Sequence, residues 1–181
     1  WTPAYLMREK GMSLTEIALW YSTVSGLTTA VGTWLSGFLV DRLGSKRPAA
    51  YALVPGFAVL LATPFLPAMV HAHGWQTALA FVVGPSVLLI AYLPAALAVI
   101  QNGVEPAQRA VSGSILLFVL NLIGLGGGPL FVGVMSDHYK PRLGEHALGA
   151  ALMALIPVYI LAFASQLAAA WFLERDRRSA V

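Results

Sequence analysis

The chain has 181 residues, of which 58% are hydrophobic and 10% charged, with a formal net charge of +3. A mean hydropathy of +0.74 with so few charges excludes an ordinary soluble domain and a disordered chain. The absence of cysteine excludes a disulfide framework, a thiolate nucleophile and a cysteine-ligated metal site. The scattered basic residues do not make the single surface that a nucleic-acid binder needs.

Residues 1–7 are apolar before Arg8 is reached. This run is too short to span a bilayer and lacks the basic n-region of a signal peptide. It reads as the tail of an earlier span of a longer protein. Beyond it, four stretches carry no Asp, Glu, Lys or Arg: 17–40, 48–104, 110–136 and 147–173. A hydrocarbon core about 30 Å thick needs about 20 helical residues. The second stretch divides at His71-Ala-His73-Gly74-Trp75, so spans are predicted near 15–40, 49–70, 76–102, 110–135 and 147–172.

The first full span places Ser22, Ser25, Thr29, Thr33 and Ser36 on one helix face. Such a stripe either lines a wet cavity or packs helices closely. Ser22/Gly26 and Thr33/Gly37 fit packing, and Ser25 and Thr29 are candidate cavity residues. The loop that follows reads Gly37-Phe-Leu-Val-Asp41-Arg42-Leu-Gly44-Ser-Lys46-Arg47. Gly37 is expected to admit a neighbouring helix, and Gly44 to supply a tight turn with positive φ. Lys46 and Arg47 form a basic anchor. Asp41 is unfavourable at its own helix C-terminus unless it faces a cation or another helix N-terminus. Arg109 and the start of the fourth span are candidates, and Glu105 is placed to meet Arg42. These charges are either a latch or a set of solvated loop residues.

The second span holds Pro55, Pro64 and Pro67, and the third holds Pro85, Tyr92, Pro94, Gln101 and Asn102. Membranes tolerate proline where neighbours or water satisfy the freed carbonyls. Two prolines nine residues apart in the third span predict a bent, gating helix. Tyr92 is the candidate substrate contact, with packing as the alternative. The fourth span carries Asn121, then Gly124, Gly126, Gly127, Gly128 and Pro129. No Lys-Ser/Thr follows, so this is not a phosphate loop. The glycines permit packing and bending, and Asn121 bonds either a neighbouring helix or substrate. Asp137 and His138 read as a helix-end turn.

No carboxylate, Lys or Arg lies mid-span, so the wall contributed here is neutral. That suits an amphipathic or lipid-like substrate, and any proton-coupling acid would lie elsewhere. His71, His73, His138 and His146 fall near span ends, and His71/His73 is a weak metal signature. No catalytic residue, metal site or cofactor is predicted. Arg42, Lys46, Arg47, Arg109, Arg175, Arg177 and Arg178 lie on one side, against Arg8, Lys10, Lys140 and Arg142 on the other. The positive-inside rule makes 41–48, 102–109 and the C-terminal tail cytoplasmic, in a cell (inner) membrane. Trp1, Trp20, Trp75 and Tyr139 then fall toward the outer interface, and Tyr51 and Trp171 toward the inner one.

The loop Gly37-x-x-x-Asp41-Arg42-x-Gly44-x-Lys46-Arg47 resembles the signature loop of the major facilitator superfamily, which joins the second and third helices of each six-helix half. Leu116 to Asp137 resembles the eleventh helix of its spinster-like branch, which includes sphingolipid and lysolipid transporters. The opening Trp-x-Pro-Ala-Tyr-Leu-Met-Arg is similar to that branch too, so the resemblance covers nearly the whole chain. It implies an all-α polytopic bundle, the C-terminal six-helix half of a twelve-helix fold: five full spans plus the tail of a sixth. It implies a secondary transporter working by alternating access, in which Gly37, Asp41, Arg42, Gly44, Lys46 and Arg47 hold the cytoplasmic ends together. Glu105 and Arg109 are latch partners by placement alone. The expected partners are the N-terminal six-helix half, membrane lipids and a small organic or lipid-like substrate, with no nucleic acid. The chain is not expected to be an enzyme. A transporter of small organic anions and a non-transporting scaffold on the same fold are the alternatives.

Overall fold

The computed structural model describes residues 1–179, with side chains through 177. The side chain of Arg178 and the tail residues 180–181, read above as cytoplasmic, lie outside the described residues. Six helices follow one another: α1 (Thr2–Lys10), α2 (Leu14–Gly44), α3 (Ala50–His71), α4 (Gly74–Asn102), α5 (109–143) and α6 (147–179). Leu14–Gly44, Ala50–His71, Gly74–Asn102 and the stretch Pro106–Arg177 are long and apolar enough to cross a membrane, and the last of these folds into α5 and α6. With 31 residues, α2 is about 46 Å long.

Local chemistry sets the helix ends. Gly11 takes φ +70° after α1, and Met12 N–H returns to Leu6 O at 3.0 Å. Ser13 and Glu16 form a reciprocal capping box at the start of α2, with Ser13 N–H donating to Glu16 Oε2 at 2.8 Å. Gly74 at φ +80° opens α4, and Gly144 at φ +55° separates α5 from α6. α5 runs on through Asp137 and His138 to Leu143, so these two residues are helical rather than a helix-end turn. The last turns of α5 pack on the first of α6, which favours continuing the helix.

Five of the helices are irregular inside. α2 is π-helical over Ile17–Tyr21 and α5 over Asn121–Gly127. α3, α4 and α6 break at 63–64, 90–91 and 154–155. Each break lies just before Pro67, Pro94 or Pro157, because proline brings no N–H for the carbonyl four residues back. The chain tightens to compensate: Leu66 N–H takes Thr63 O, and Leu93 N–H takes Ile90 O, both at 3.2 Å.

α4 sits centrally, touching α1, α2, α3 and the start of α5, while α3 also packs on α2 and α6. The largest buried cluster gathers round α1 and includes Tyr5, Leu6, Ile17, Met69, Leu79, Val82, Val132 and Leu152. A second, of Ala49, Ala52 and Ala170, joins the start of α3 to the end of α6. Many large apolar side chains are exposed, among them Leu27, Trp34, Phe118 and Leu161. That is a surface suited to lipid. The Trp1 indole N–H donates to Pro129 O at 2.9 Å, just past the π-helical segment of α5 and about 13 Å along α1 from Lys10.

Candidate functional site

The buried stripe of α2 is Gly32, Ser36, Val40 and Gly44, four residues apart. Side chains at this spacing stack on one face. At Gly32 a Cβ would come within 2.5 Å of Val87 O and 2.9 Å of Val87 Cα, so α2 and α4 meet backbone to backbone there. The hydroxyl stripe lies mostly off this face. Thr29 is exposed and Thr33 donates to Thr29 O at 2.8 Å. Only Ser36 of the stripe is buried as a residue, and it donates to Thr33 O at 3.1 Å. Ser25 Oγ is buried without a hydrogen-bond partner among the described residues.

At the α2–α3 turn, Gly44 does not take positive φ. It is helical, and its missing side chain makes room for the Tyr51 ring, whose nearest atom lies 2.5 Å from where a Cβ would stand. Gly37 has open space at its Cβ position, so no helix of this chain approaches it. For Gly44 the reason is thus close packing rather than the positive φ expected from the sequence. Lys46 and Arg47 N–H groups close the turn on Leu43 O at 3.1 and 3.0 Å. Asp41, Arg42, Lys46 and Arg47 are all exposed. The Arg42 guanidinium lies 5.8 Å from the Phe38 ring centre. Among the described residues, Asp41 and Arg42 make no ion pair with Glu105, in the α4–α5 connection, or with Arg109, the first residue of α5, both of which are exposed. Four exposed charges in high dielectric gain little from pairing.

A cavity of about 310 Å³ lies at the level of the helix breaks. Phe65, Ile90 and Leu155, each beside a break, form part of its wall, with Tyr21, Tyr92 and Tyr159. None of the three phenol hydroxyls is hydrogen-bonded within the described residues. Tyr92 also faces a second cavity between α3, α4 and α6. Of the four candidate cavity residues, Tyr92 lines the break-level cavity, while Ser25, Thr29 and Asn121 are not in its wall. Asn121 bonds neither a neighbouring helix nor a ligand: its Nδ2 donates to Leu117 O of its own helix at 2.8 Å. All residues from Asn121 to Phe131 are exposed. Tyr21 and Tyr159 were missed by sequence reasoning. The proline rule would have pointed to Tyr159, two residues after Pro157.

α1 contributes a charged clasp that sequence reasoning also missed. Lys10 Nζ donates to Val70 O and Ala72 O, both at 2.8 Å, at the C-terminal end of α3. Glu9, its side chain 5% exposed, accepts Gly149 N–H at 2.7 Å at the start of α6. A cation thus meets a helix C-terminus and an anion a helix N-terminus, the arrangement the helix dipoles favour. His146, 3.7 Å from Glu9 and 83% exposed, adds little.

No family model matches the chain. It is 35% identical over 163 residues to an MFS-type efflux pump of Mycolicibacterium smegmatis, an alignment covering 86% of this chain and 36% of that protein. It is 27% identical over 201 residues to protein spinster homolog 1 of Homo sapiens and 24% over 200 residues to that of Xenopus laevis, covering 99% of this chain and 38% of each relative. The chain thus spans a little over a third of the length of these relatives. With five long apolar helices and no strand among the described residues, it is an integral membrane protein. The chain is thus a relative of an MFS-type efflux pump and of the spinster homologues, and its helices form an all-α membrane bundle.

Proposed function

We propose that this chain is the C-terminal six-helix half of a secondary transporter that works by alternating access on a lipid-like or amphipathic organic solute. The observation that carries this reading is the α2–α3 turn. Its Gly37, Asp41, Arg42, Gly44, Lys46 and Arg47 match the signature loop, and its charges form no ion pair among the described residues. On this reading the partner of Asp41 and Arg42 is the other half, and Glu105 and Arg109 line the same cytoplasmic face without closing it alone. The exposed run Asn121–Phe131 of α5, with its glycines, suits a second face against that half. The membrane is the cell (inner) membrane, with 41–48, 102–109 and the C-terminal tail cytoplasmic.

The neutral span interiors and the unbonded hydroxyls of Tyr21, Tyr92 and Tyr159 support an amphipathic solute over a strongly charged one. Nothing in the arrangement calls for catalysis, and the bacterial relative is named as an efflux pump rather than an enzyme. That name also favours a second reading, export of a small organic solute. The test is transport by the full-length protein in proteoliposomes, comparing a labelled lysolipid with a small polar organic anion, each with and without a proton gradient. Saturable lysolipid movement that falls at least tenfold in Tyr92→Ala supports the first reading. Movement of the anion alone replaces it with the second, and movement of neither favours a scaffold.

A further inference from the structure

A further cavity has no place in the reading above. It is an open groove of about 570 Å³ between α2 and α3, with α4 closing its deep end at Val87 and Ala91. Leu39, Leu53, Phe57 and Leu61 form much of its wall, which is almost wholly apolar. Its one buried hydroxyl, Ser36, is already bonded to Thr33 O. At the turn end the wall changes character, because Lys46 and Arg47 stand at the mouth. Both are exposed, and neither side chain is hydrogen-bonded or ion-paired among the described residues.

The dimensions are those of one lipid leaflet. Along α2 the groove runs from Gly32 to Leu43 and along α3 from Ala50 to Leu61, about 16 Å each. Half of a hydrocarbon core is about 15 Å. The deep end therefore stops near the helix breaks, and the two cations lie at headgroup depth. An apolar trough one leaflet deep, ending in two unpaired cations, matches a molecule with an acyl chain and an anionic head. Soluble anions would leave the trough empty, and a zwitterionic lipid would bring its own cation against Lys46 and Arg47.

We propose that this groove holds one anionic phospholipid from the leaflet on the side of the α2–α3 turn, its acyl chain between α2 and α3 and its phosphate on Lys46 and Arg47. The lipid binds from the bilayer as a fixed part of the fold, whatever solute the transporter carries. By occupying Lys46 and Arg47 it joins the signature turn to the membrane surface.

Native mass spectrometry tests this on the full-length protein, released from nanodiscs of equal phosphatidylglycerol and phosphatidylcholine. The unaltered protein is expected to retain phosphatidylglycerol at least tenfold over phosphatidylcholine. Lys46→Gln with Arg47→Gln should remove most of that preference. Leu53→Trp, which fills the trough and leaves both charges, should lower phosphatidylglycerol retention as well. Equal retention of the two lipids by the unaltered protein overturns the proposal, and this measurement does not depend on any variant folding. Retention unchanged in Leu53→Trp overturns it too: either the headgroup binds without the groove, or another part of the protein fills it.

Discussion

Gly32 and Gly37 lie five residues apart on α2 with opposite demands. A methyl at Gly32 meets the Val87 backbone, which has no rotamer to yield. Gly32→Ala should destabilise the domain by about 1–3 kcal/mol, the usual scale of overpacking. Gly37→Ala meets open space and should be neutral or stabilising by up to about 1 kcal/mol, from helix propensity alone. Thermal unfolding of the two variants in one detergent decides it, and equal losses would contradict the packing assigned here. Glu9 is a second case. Glu9→Ala removes the acceptor of Gly149 N–H from a buried position and should cost about 1.5–3 kcal/mol. His146→Ala should stay within about 0.5 kcal/mol, since its exposed ring gains little from Glu9. A Glu9 variant as stable as the parent would remove the clasp from the account.

Elements show how far residue types alone can be read. Prolines of the second and third spans mark breaks only in part: α3 and α4 break just before Pro67 and Pro94, while Pro55 and Pro85 stand inside unbroken helix. What spacing alone could not show is that α3, α4 and α6 break beside one cavity, since Pro67, Pro94 and Pro157 belong to separate segments. Pro94→Ala offers Ile90 O a normal partner four residues on, where Leu93 N–H now serves it. The variant should straighten α4, hold stability or raise it, and slow transport several-fold if this bend is the gate. Spin-label distances across 90–91 with transport rates on the same protein test both halves of that statement. The hydroxyl stripe of α2 shows the opposite. Its period was correct, yet the buried face is Gly32, Ser36, Val40 and Gly44. Both sets repeat at helical spacing, and lipid is as apolar as leucine, so periodicity does not say which face meets protein.

At the scale of the whole molecule, this chain holds one side of the proposed pathway. By itself it should insert in a membrane and move no solute, which uptake assays with the isolated 181-residue piece in proteoliposomes would check. In the full-length protein, Asp41→Asn should weaken closure on the side of the α2–α3 turn. Cysteines introduced near Glu105 should then label at least several-fold faster, and an unchanged rate would count against the signature turn as a closing device.

The sequence by itself determined that the protein is helical and that it belongs in a membrane. A bilayer offers backbone groups no water, so each charge-free stretch of sufficient length has to satisfy its own hydrogen bonds as a helix. The resemblance of the α2–α3 turn to the signature loop was legible because its residues are consecutive. Tertiary structure alone decided that Gly44 makes room for Tyr51, that Glu9 and Lys10 tie α1 to α6 and α3, and that an apolar groove ends at Lys46 and Arg47. Those features join residues far apart in the chain. They arise from which helix faces meet, and in a chain apolar on nearly every face only the packed bundle distinguishes one face from another.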